Sequence, residues 1–361
     1  MTRQPWHDVA ESFLLPILAL AGALLMFGLW VWFGGHDPRQ AWTLLFAGAF
    51  GDAFSWQNTL QRAAPLMLTA LCVALPACAG LTVIGGEGAL VLGGLACAGL
   101  PYLMPLPSGM AGTALLLLAA AAAGALWIAL AGALRQYRGV NETISSLLLS
   151  YIAIALFKHL VEGPLRDPAS LNKPSTLPLD EGLRIGTMFG YDVHWGLAFG
   201  VVFCVAAALW LGGSTHGFAT RVVGGNARAA RLVGLPAHRL IITACALGGA
   251  AAGLAGGIEV AAVHTSANAS LIAGLGYAGI LVSFVARHHP LAVIPVAILF
   301  GGFGAAGSLL QRRMGLPDAS VQVLLGFAFV LILVGEALRG RLLPLSSWLP
   351  VRTPLPQAKP A

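Results

Sequence analysis

Charged side chains are scarce in this chain of 361 residues, and Asp, Glu, Lys and Arg together account for 9% of it. A soluble globular domain carries about 25% charged residues, whereas 58% of this chain is hydrophobic. The composition therefore excludes an ordinary soluble domain and predicts a protein of the lipid bilayer. The formal net charge of +6 is modest, and it indicates basic cytoplasmic loops and tails, with no sign of a nucleic-acid-binding surface.

Recognisable catalytic and metal-binding motifs are also missing. The chain has no H-E-x-x-H, no G-x-S-x-G, no cysteine pair at zinc spacing and no G-x-x-x-x-G-K-[ST] phosphate loop. We therefore expect no enzyme activity and no cofactor bound by this chain. The adjacent His288 and His289 point in different directions in a short turn, so a solvated loop is favoured over a metal site. The odd number of cysteines, all in apolar segments, predicts buried thiols and no disulfide framework: Cys72, Cys78, Cys97, Cys204 and Cys245.

Apolar stretches of about 20 residues, the length that crosses a bilayer, recur along the chain. They predict an all-α polytopic membrane protein with about ten transmembrane helices, and the 46 glycines suit the close packing of such helices. A polar stretch at 39–57, with a candidate interfacial helix, follows the first span. The predicted spans are 13–33, 63–84, 88–104, 110–134, 144–161, 197–211, 240–263, 271–286, 291–310 and 321–338.

Charge sets the predicted orientation, because short loops rich in Lys and Arg lie on the cytoplasmic side. An even number of spans then places both termini in the cytoplasm. The predicted parts of this single transmembrane domain, 1–361, are a cytoplasmic N-terminus at 1–12, a Pro-rich external loop of mixed charge at 163–194, a cytoplasmic loop at 214–239 and a cytoplasmic tail at 339–361. Arg312 and Arg313 fall on the external side, an exception to a statistical rule.

Two glycine-rich breaks interrupt the apolar segments, at 85–88 and 274–279. The spans that they accompany, the second and the seventh, run in opposite directions in the predicted topology. Paired interrupted segments in corresponding halves indicate an inverted repeat with a central pathway. We therefore predict that spans 2–5 recur as spans 7–10 with inverted topology.

Polar residues near these breaks are candidates for a translocation path. A carboxylate in hydrocarbon is costly and often functional, yet Glu87 also suits a helix start, where the helix dipole favours a negative charge. Both interpretations stay open. The other candidates are residues that can equally serve packing or hydrogen bonding between helices: Gly85, Asn268, Tyr277 and Ser283.

A run of basic residues without an acidic partner occupies 221–239, between two long apolar stretches. Residues 226–233 are predicted to form a short amphipathic helix, with Ala227, Ala230 and Val233 on one face and arginines on another. Because small side chains permit close approach to a partner groove, this helix is a candidate docking element. The alternative is a connector whose charge only fixes the topology.

The segment RVVGGNARAARLVGL resembles the cytoplasmic coupling segment of bacterial ABC-importer permeases of the branched-chain amino acid, ribose and nucleoside class. The segments GVNETISSLLLSYIA, ALGGAAAGLAGGIEV and GYAGILVSFVARHHPLAVIPVAILFGG are similar to the same family. The resemblance implies a cytoplasmic ABC ATPase that binds ATP and Mg²⁺, a second permease subunit (a paralogue or a second copy), an extracytoplasmic substrate-binding protein and a place in the bacterial plasma membrane. It also implies a set of ATPase-coupling residues: Arg221, Gly225, Asn226, Ala229, Ala230, Arg231 and Gly234.

Within that family the chain is most similar to the permeases that import nucleosides and simple sugars. The long first span and the stretch RAAPLMLTAL carry this resemblance. The longer stretch RAAPLMLTALCVALPACAGLTVIGGEGALVLGGL resembles the first-half motif of the whole family, with Thr82 and Val83 where the family has a Phe-Asn pair. A nucleoside or simple sugar is therefore the expected substrate. The alternative is a secondary transporter driven by an ion gradient, a class that buries ionisable groups in its spans. Glu87 and Glu259 are the candidates for that role.

Overall fold

The computed structural model describes residues 5–188 and 190–338, so the predicted tail at 339–361 and the first four residues of the predicted N-terminus lie outside it. The described chain is almost entirely helical, and its β-structure is limited to two isolated bridges. The helices are α1 (Pro5–Phe33), α2 (Pro38–Phe50), α3 (Ala53–Cys78), α4 (Gly86–Leu103), α5 (Met110–Arg138), α6 (Glu142–Glu162), α7 (Gly196–Gly213), α8 (Thr215–Gly225), α9 (Ala227–Leu232), α10 (Ala237–Ile258), α11 (Leu275–Val285), α12 (Pro290–Met314) and α13 (Ser320–Leu338). Short 3-10 turns lie at Glu181–Leu183 and Ala269–Leu271, and a π-helix at Glu259–His264 continues α10.

Nine of the described helical segments are long and apolar enough to cross a membrane, which confirms the all-α polytopic fold. The eighth predicted span, 271–286, is the exception. Its helix, α11, has 11 residues and extends about 16 Å, roughly half of the hydrocarbon thickness of a bilayer. The helix is short because the chain first forms a 3-10 turn and then enters α11 through Gly274, whose φ of 78° is left-handed.

The polar stretch 39–57 forms two helices instead of the single predicted one. Asp52 separates α2 from α3 as the N-cap of α3, and its carboxylate accepts a hydrogen bond from the Ser55 N–H at 2.6 Å. This hydrogen bond lowers the pKa of Asp52. The Thr59 hydroxyl donates to the Ala49 carbonyl at 2.6 Å and ties α3 back to α2. The predicted interfacial helix is therefore α2 together with the first turns of α3.

Helix α10 packs against α3, α4 and α5 through small residues. Gly253 lies so close to the backbones of Ala120 and Gly124 in α5 that no Cβ fits there, and Gly93 of α4 approaches it equally closely. Glycines at such crossings let membrane helices pack backbone to backbone. Four of the five free cysteines are buried as predicted, whereas Cys78 is half-buried.

The predicted external loop 163–194 and the predicted cytoplasmic loop 214–239 lie at opposite ends of α7. The first loop is held against the end of α10. In this contact the Leu179 N–H donates to the Thr265 carbonyl at 2.7 Å, and the Ile185 N–H donates to the Ala261 carbonyl at 2.9 Å. The two loops therefore lie at the two ends of the helical bundle.

Candidate coupling and translocation sites

The predicted short helix in the basic loop is α9, and it is capped at both ends. The side-chain oxygen of Asn226 accepts hydrogen bonds from the backbone N–H groups of Arg228 and Ala229, both at 3.0 Å. Gly234 follows the helix with a φ of 84°, a conformation that favours glycine and is common after helix C-termini. The caps satisfy backbone groups that a six-residue helix leaves without partners, which makes so short a helix stable.

The small-residue face of α9 packs against this chain's own helices, which differs from the prediction that it faces a partner. Ala230 is 1% exposed and belongs to an apolar cluster with Val223 and Leu240. In contrast, Leu232 is 89% exposed and Val233 is 74% exposed. The physical reason is that an isolated helix of this length is unstable in water, so its small face serves to anchor it.

The end of α8 contacts the turn that links α3 to α4. Gly224 lies against the carbonyl of Cys78, where a Cβ would collide, and Gly80 lies against Gly224 in return. Gly80 has a φ of 80°, so both the conformation and the close approach require glycine. Gly80 and Gly224 are not among the residues predicted from sequence, where their only signal is a glycine directly after an apolar run.

A polar cavity of about 320 Å³ lies beside this contact. Its lining includes Asn226 and the guanidinium-bearing side chains of Arg135 and Arg231. The Arg135 guanidinium also pairs with the Glu142 carboxylate at 3.2 Å. The cavity therefore lies between the end of α5 and helix α9, and the pair of Arg135 with Glu142 connects it to the start of α6.

The two predicted breaks meet inside the bundle. The Glu87 carboxylate accepts hydrogen bonds from the backbone N–H of Gly274 at 2.8 Å and of Gly276 at 2.6 Å. Glu87 is fully buried, and Gly276 lies against the backbone of Gly86 and Glu87 without space for a Cβ. The first turns of α4 and α11 therefore touch, and Glu87 caps α11 from α4. The inverted repeat itself stays a prediction.

Two serines of α6 satisfy the backbone where the chain enters α4. The Ser146 hydroxyl accepts from the Ile84 N–H at 3.0 Å, and the Ser150 hydroxyl accepts from the Gly88 N–H at 3.3 Å. Irregular backbone at membrane depth needs such partners, because lipid offers none. Neither serine is among the residues predicted from sequence.

The remaining predicted path residues are distributed along the second break. Tyr277 is 38% exposed, while Gly85 and Asn268 are buried. Ser283 is also fully buried, and its hydroxyl lies 2.9 Å from Nδ1 of His288. The structure thus places Glu87, Gly85 and Tyr277 around the junction, Asn268 before α11 and Ser283 near its other end.

The predicted solvated loop is confirmed at His289, which is exposed, but not at His288, which is half-buried. The imidazole stacks edge-on against Phe284 with the ring centres 4.9 Å apart, and burial lowers the pKa of His288. Arg287 and His288 both have positive φ values, 53° and 57°. Non-glycine residues in this region store strain, so the surrounding contacts hold the turn in place.

Known proteins similar to this chain identify its family. Residues 55–333 match the family described as the branched-chain amino acid transport system permease component. The glucose ABC transporter permease protein TsgB13 of Haloferax volcanii is 32% identical over 332 residues, which cover 89% of this chain and 87% of the relative. The guanosine ABC transporter permease protein NupP of Bacillus subtilis is 27% identical, covering 90% and 94%. The nucleoside ABC transporter permease protein NupB of Lactococcus lactis is 26% identical, covering 88% and 89%.

Among solved structures, PsaBC from Streptococcus pneumoniae in complex with a Fab matches 81% of this chain and 94% of its own, at 12% identity and a TM-score of 0.45. That likeness is too distant to add to the assignment. The family match and the relatives replace the alternative of an ion-gradient carrier. The chain belongs to the branched-chain amino acid transport system permease family, and it is a multi-pass membrane permease subunit of an ABC importer.

Proposed function

We propose that this chain, paired with a related permease or a second copy of itself, forms the path by which a nucleoside or simple sugar crosses the bacterial plasma membrane. A cytoplasmic ABC ATPase, which binds ATP and Mg²⁺, drives the cycle, and an extracytoplasmic binding protein delivers the substrate. Both termini of the permease are cytoplasmic, and ATP hydrolysis belongs to the separate subunit. The names of the relatives, which are permeases for glucose, guanosine and nucleosides, support this substrate class.

The observation that carries the ATPase assignment is the outer face of α9. Leu232 and Val233 are exposed there beside Arg228 and Arg231, while Ala230 anchors the helix from behind. An exposed apolar pair beside cations suits a partner with an apolar groove and an acidic rim. The two caps make α9 a rigid element through which a moving partner can act.

A continuous set of contacts leads from α9 to the junction of the breaks. α8, which precedes α9, touches the turn at Gly80 through Gly224. That turn continues as an extended segment into α4, where Glu87 holds the start of α11. We infer that displacement of α9 shifts this segment and so the relative position of α4 and α11. Discrete rearrangement of packed elements is the usual means of such coupling.

The path itself is assigned to the region of the junction. Tyr277 presents part of its ring to the surface there, and the nearby Tyr151 of α6 is 58% exposed. Exposed phenol groups beside the buried junction suit a polar route or a second subunit better than hydrocarbon. The scarcity of charge around them suits a neutral, hydroxyl-rich substrate. In this scheme four residues hold the backbone segments that line the path: Gly85, Glu87, Asn268 and Ser283.

The test uses the complete importer, reconstituted into proteoliposomes with its ATPase and binding protein. Leu232→Asp places a buried charge at the proposed contact, and we expect it to release the ATPase and to abolish ATP-dependent uptake. Leu232→Met, which keeps an apolar side chain at the same position, is the matched control and should retain both. Ala230 is unsuitable for this test, because its substitution disturbs the permease's own packing.

Uptake of labelled guanosine, uridine, glucose and ribose identifies the substrate class. Uptake of at least one of these that depends on ATP and on Leu232 supports the proposal. Retention of a stoichiometric ATPase by Leu232→Asp, with normal uptake, refutes the docking assignment. Transport of a chemically different solute alone, such as an amino acid, refutes the substrate class.

A further inference from the structure

At the end of the bundle opposite α9, five polar residues from three parts of the chain gather around the π-helix that continues α10. We call them the outer polar cluster: Arg62, Lys173, Glu259, His264 and Ser270. Glu259 and His264 are the two ends of the π-helix, and π-helical turns occur frequently at functional sites. The next residue, Thr265, has a left-handed φ of 58°, so the backbone here departs from a regular helix.

Glu259 has hydrogen-bonding capacity that the protein does not use. The residue is 8% exposed, and its carboxylate lies 3.6 Å from Nε2 of His264. It accepts no hydrogen bond from any residue that the structure describes. A carboxylate offers about four acceptor positions, and a buried one without hydrogen bonds is costly. A ligand with several hydroxyl groups supplies the donors that are absent here.

Arg62 lies close enough to act electrostatically on Glu259. Its side chain runs beside Gly304 of α12 and is exposed. Within the described chain its guanidinium makes no hydrogen bond or ion pair. Arg62 belongs to the membrane-spanning helix α3, where an unpaired cation facing lipid is expensive. The guanidinium therefore faces water, a ligand or a second subunit.

Lys173 closes the cluster from the loop side. Its ammonium donates to the Ser270 hydroxyl at 2.7 Å, and its charge also acts on His264. The same loop is fixed to the π-helix by the hydrogen bond from Ile185 to Ala261. The cluster is thus a partly covered polar site at the end of the bundle where the predicted external loop lies.

We propose that the outer polar cluster is a substrate site that binds two adjacent hydroxyl groups of a ribose or sugar ring as it enters the permease. The inference rests on the proposed function. The Glu259 carboxylate accepts from the two hydroxyls, as acidic residues do for ribose hydroxyls elsewhere, and Arg62 donates to a hydroxyl or ring oxygen. The opposite charges of the two side chains suit a neutral ligand, which adds no net charge to the site.

The experiment measures ATP-dependent uptake by the reconstituted importer with guanosine or glucose, whichever it transports, and with the analogue that lacks one of two adjacent hydroxyls. The binding protein has its own preference between the two, but this preference is the same for every permease variant and cancels in the comparison. Uptake efficiency is kcat/KM for each pair of permease and substrate. This double comparison isolates the interaction between the side chain and the hydroxyl.

For Glu259→Gln we expect the uptake efficiency with the natural substrate to fall about 10-fold more than the efficiency with the deoxy analogue. Loss of one hydrogen bond to a charged group accounts for a change of this size. Arg62→Gln, at an exposed position whose guanidinium makes no hydrogen bond or ion pair within the described chain, tests the site with little effect on folding and should show the same bias. Glu181→Gln, the same change on an exposed residue of the external loop, is the control and should leave the ratio unchanged.

Equal losses with both substrates in Glu259→Gln and Arg62→Gln overturn the inference, because they point to a purely structural role. If both variants take up both substrates as efficiently as the wild type, the ratio is again unchanged and the inference is overturned as well. If the wild-type importer transports neither nucleosides nor sugars, the proposed function fails and this inference fails with it. If the wild-type importer transports a nucleoside or sugar but neither variant shifts the ratio of uptake efficiencies, the substrate site is refuted and the proposed function is retained.

Discussion

The carboxylate of Glu87 accepts a hydrogen bond from the backbone N–H of Gly276 at 2.6 Å, and so joins two buried residues at helix starts that are 189 residues apart in the chain. The contact is charge-assisted, and it satisfies N–H groups at the start of α11 that no water reaches. It makes α4 and α11 one unit at the centre of the permease. We therefore expect a displacement of either helix to move the other.

Glu87→Gln should destabilise the permease, because the amide places an N–H group where the protein offers a second N–H. We expect a loss of about 2 kcal/mol of unfolding free energy, the range for hydrogen bonds to a buried charge. The measurement is thermal unfolding of the purified protein in detergent. Glu162→Gln, at the exposed end of α6, is the control, and equal melting temperatures for the two variants would contradict the capping role.

Gly253→Ala should weaken the packing of α10 against α5, because the added methyl meets the carbonyl of Ala120. Alanine is the better helix former by about 1 kcal/mol, so a free helix position gains from the same change. Gly326→Ala in α13 is such a position, with no atom within 4 Å of the new methyl. We expect Gly253→Ala to lower the melting temperature and Gly326→Ala to raise it. A shift of the same sign in both variants would refute the close-packing account.

Asn226→Ala should uncouple transport without unfolding the membrane domain. The substitution removes the N-cap that holds Arg228 and Ala229, which costs about 1 kcal/mol of helix stability. We expect lower uptake and lower substrate-stimulated ATP hydrolysis by the reconstituted importer, at an unchanged melting temperature. Asn226→Asp retains a capping carboxylate and should restore both activities, so failure of this rescue would count against the capping explanation.

Acidification should destabilise the permease through two histidines outside the spans, the buried His194 and the half-buried His288. Burial lowers the pKa of His194 and of His288 below the ordinary value of 6.5. The unfolded chain then binds more protons than the native one, so the stabilising contribution is complete above pH 6.5 and declines as the pH falls toward the lowered native values. Melting temperatures measured between pH 5 and 8 test this.

The matched variants for that series are His194→Asn and His288→Asn, singly and together. Each should flatten the decline of melting temperature below pH 6.5, and the double variant should flatten it most. His194 has the simpler environment, because neither ring nitrogen has a hydrogen-bond partner in the described chain. An identical slope in all four proteins would show that other groups control the acid response.

The sequence alone determined the membrane class, the family, most of the spans and the helix α9. These features depend on local signals: runs of about 20 apolar residues, the Asn226 cap, the glycine after α9 and motifs shared with relatives. Composition and spacing record such features directly, since each is set by residues within one or two helical turns. The prediction that residues 85–88 and 274–279 correspond was also available, because both contain several glycines.

The tertiary structure alone decided which of these local features meet. Glu87 gave two interpretations from sequence, and the contact with Gly276 favours the cap, but on α11 instead of its own helix. Ala230 is the opposite case. Its small side chain predicted a contact with a partner, but in the structure it packs in one cluster with Val223 and Leu240 of the same chain. The length of α11 and the gathering of Arg62, Glu259 and His264 likewise follow from contacts between distant segments. Periodicity within one helix carries no information on which neighbour covers each face.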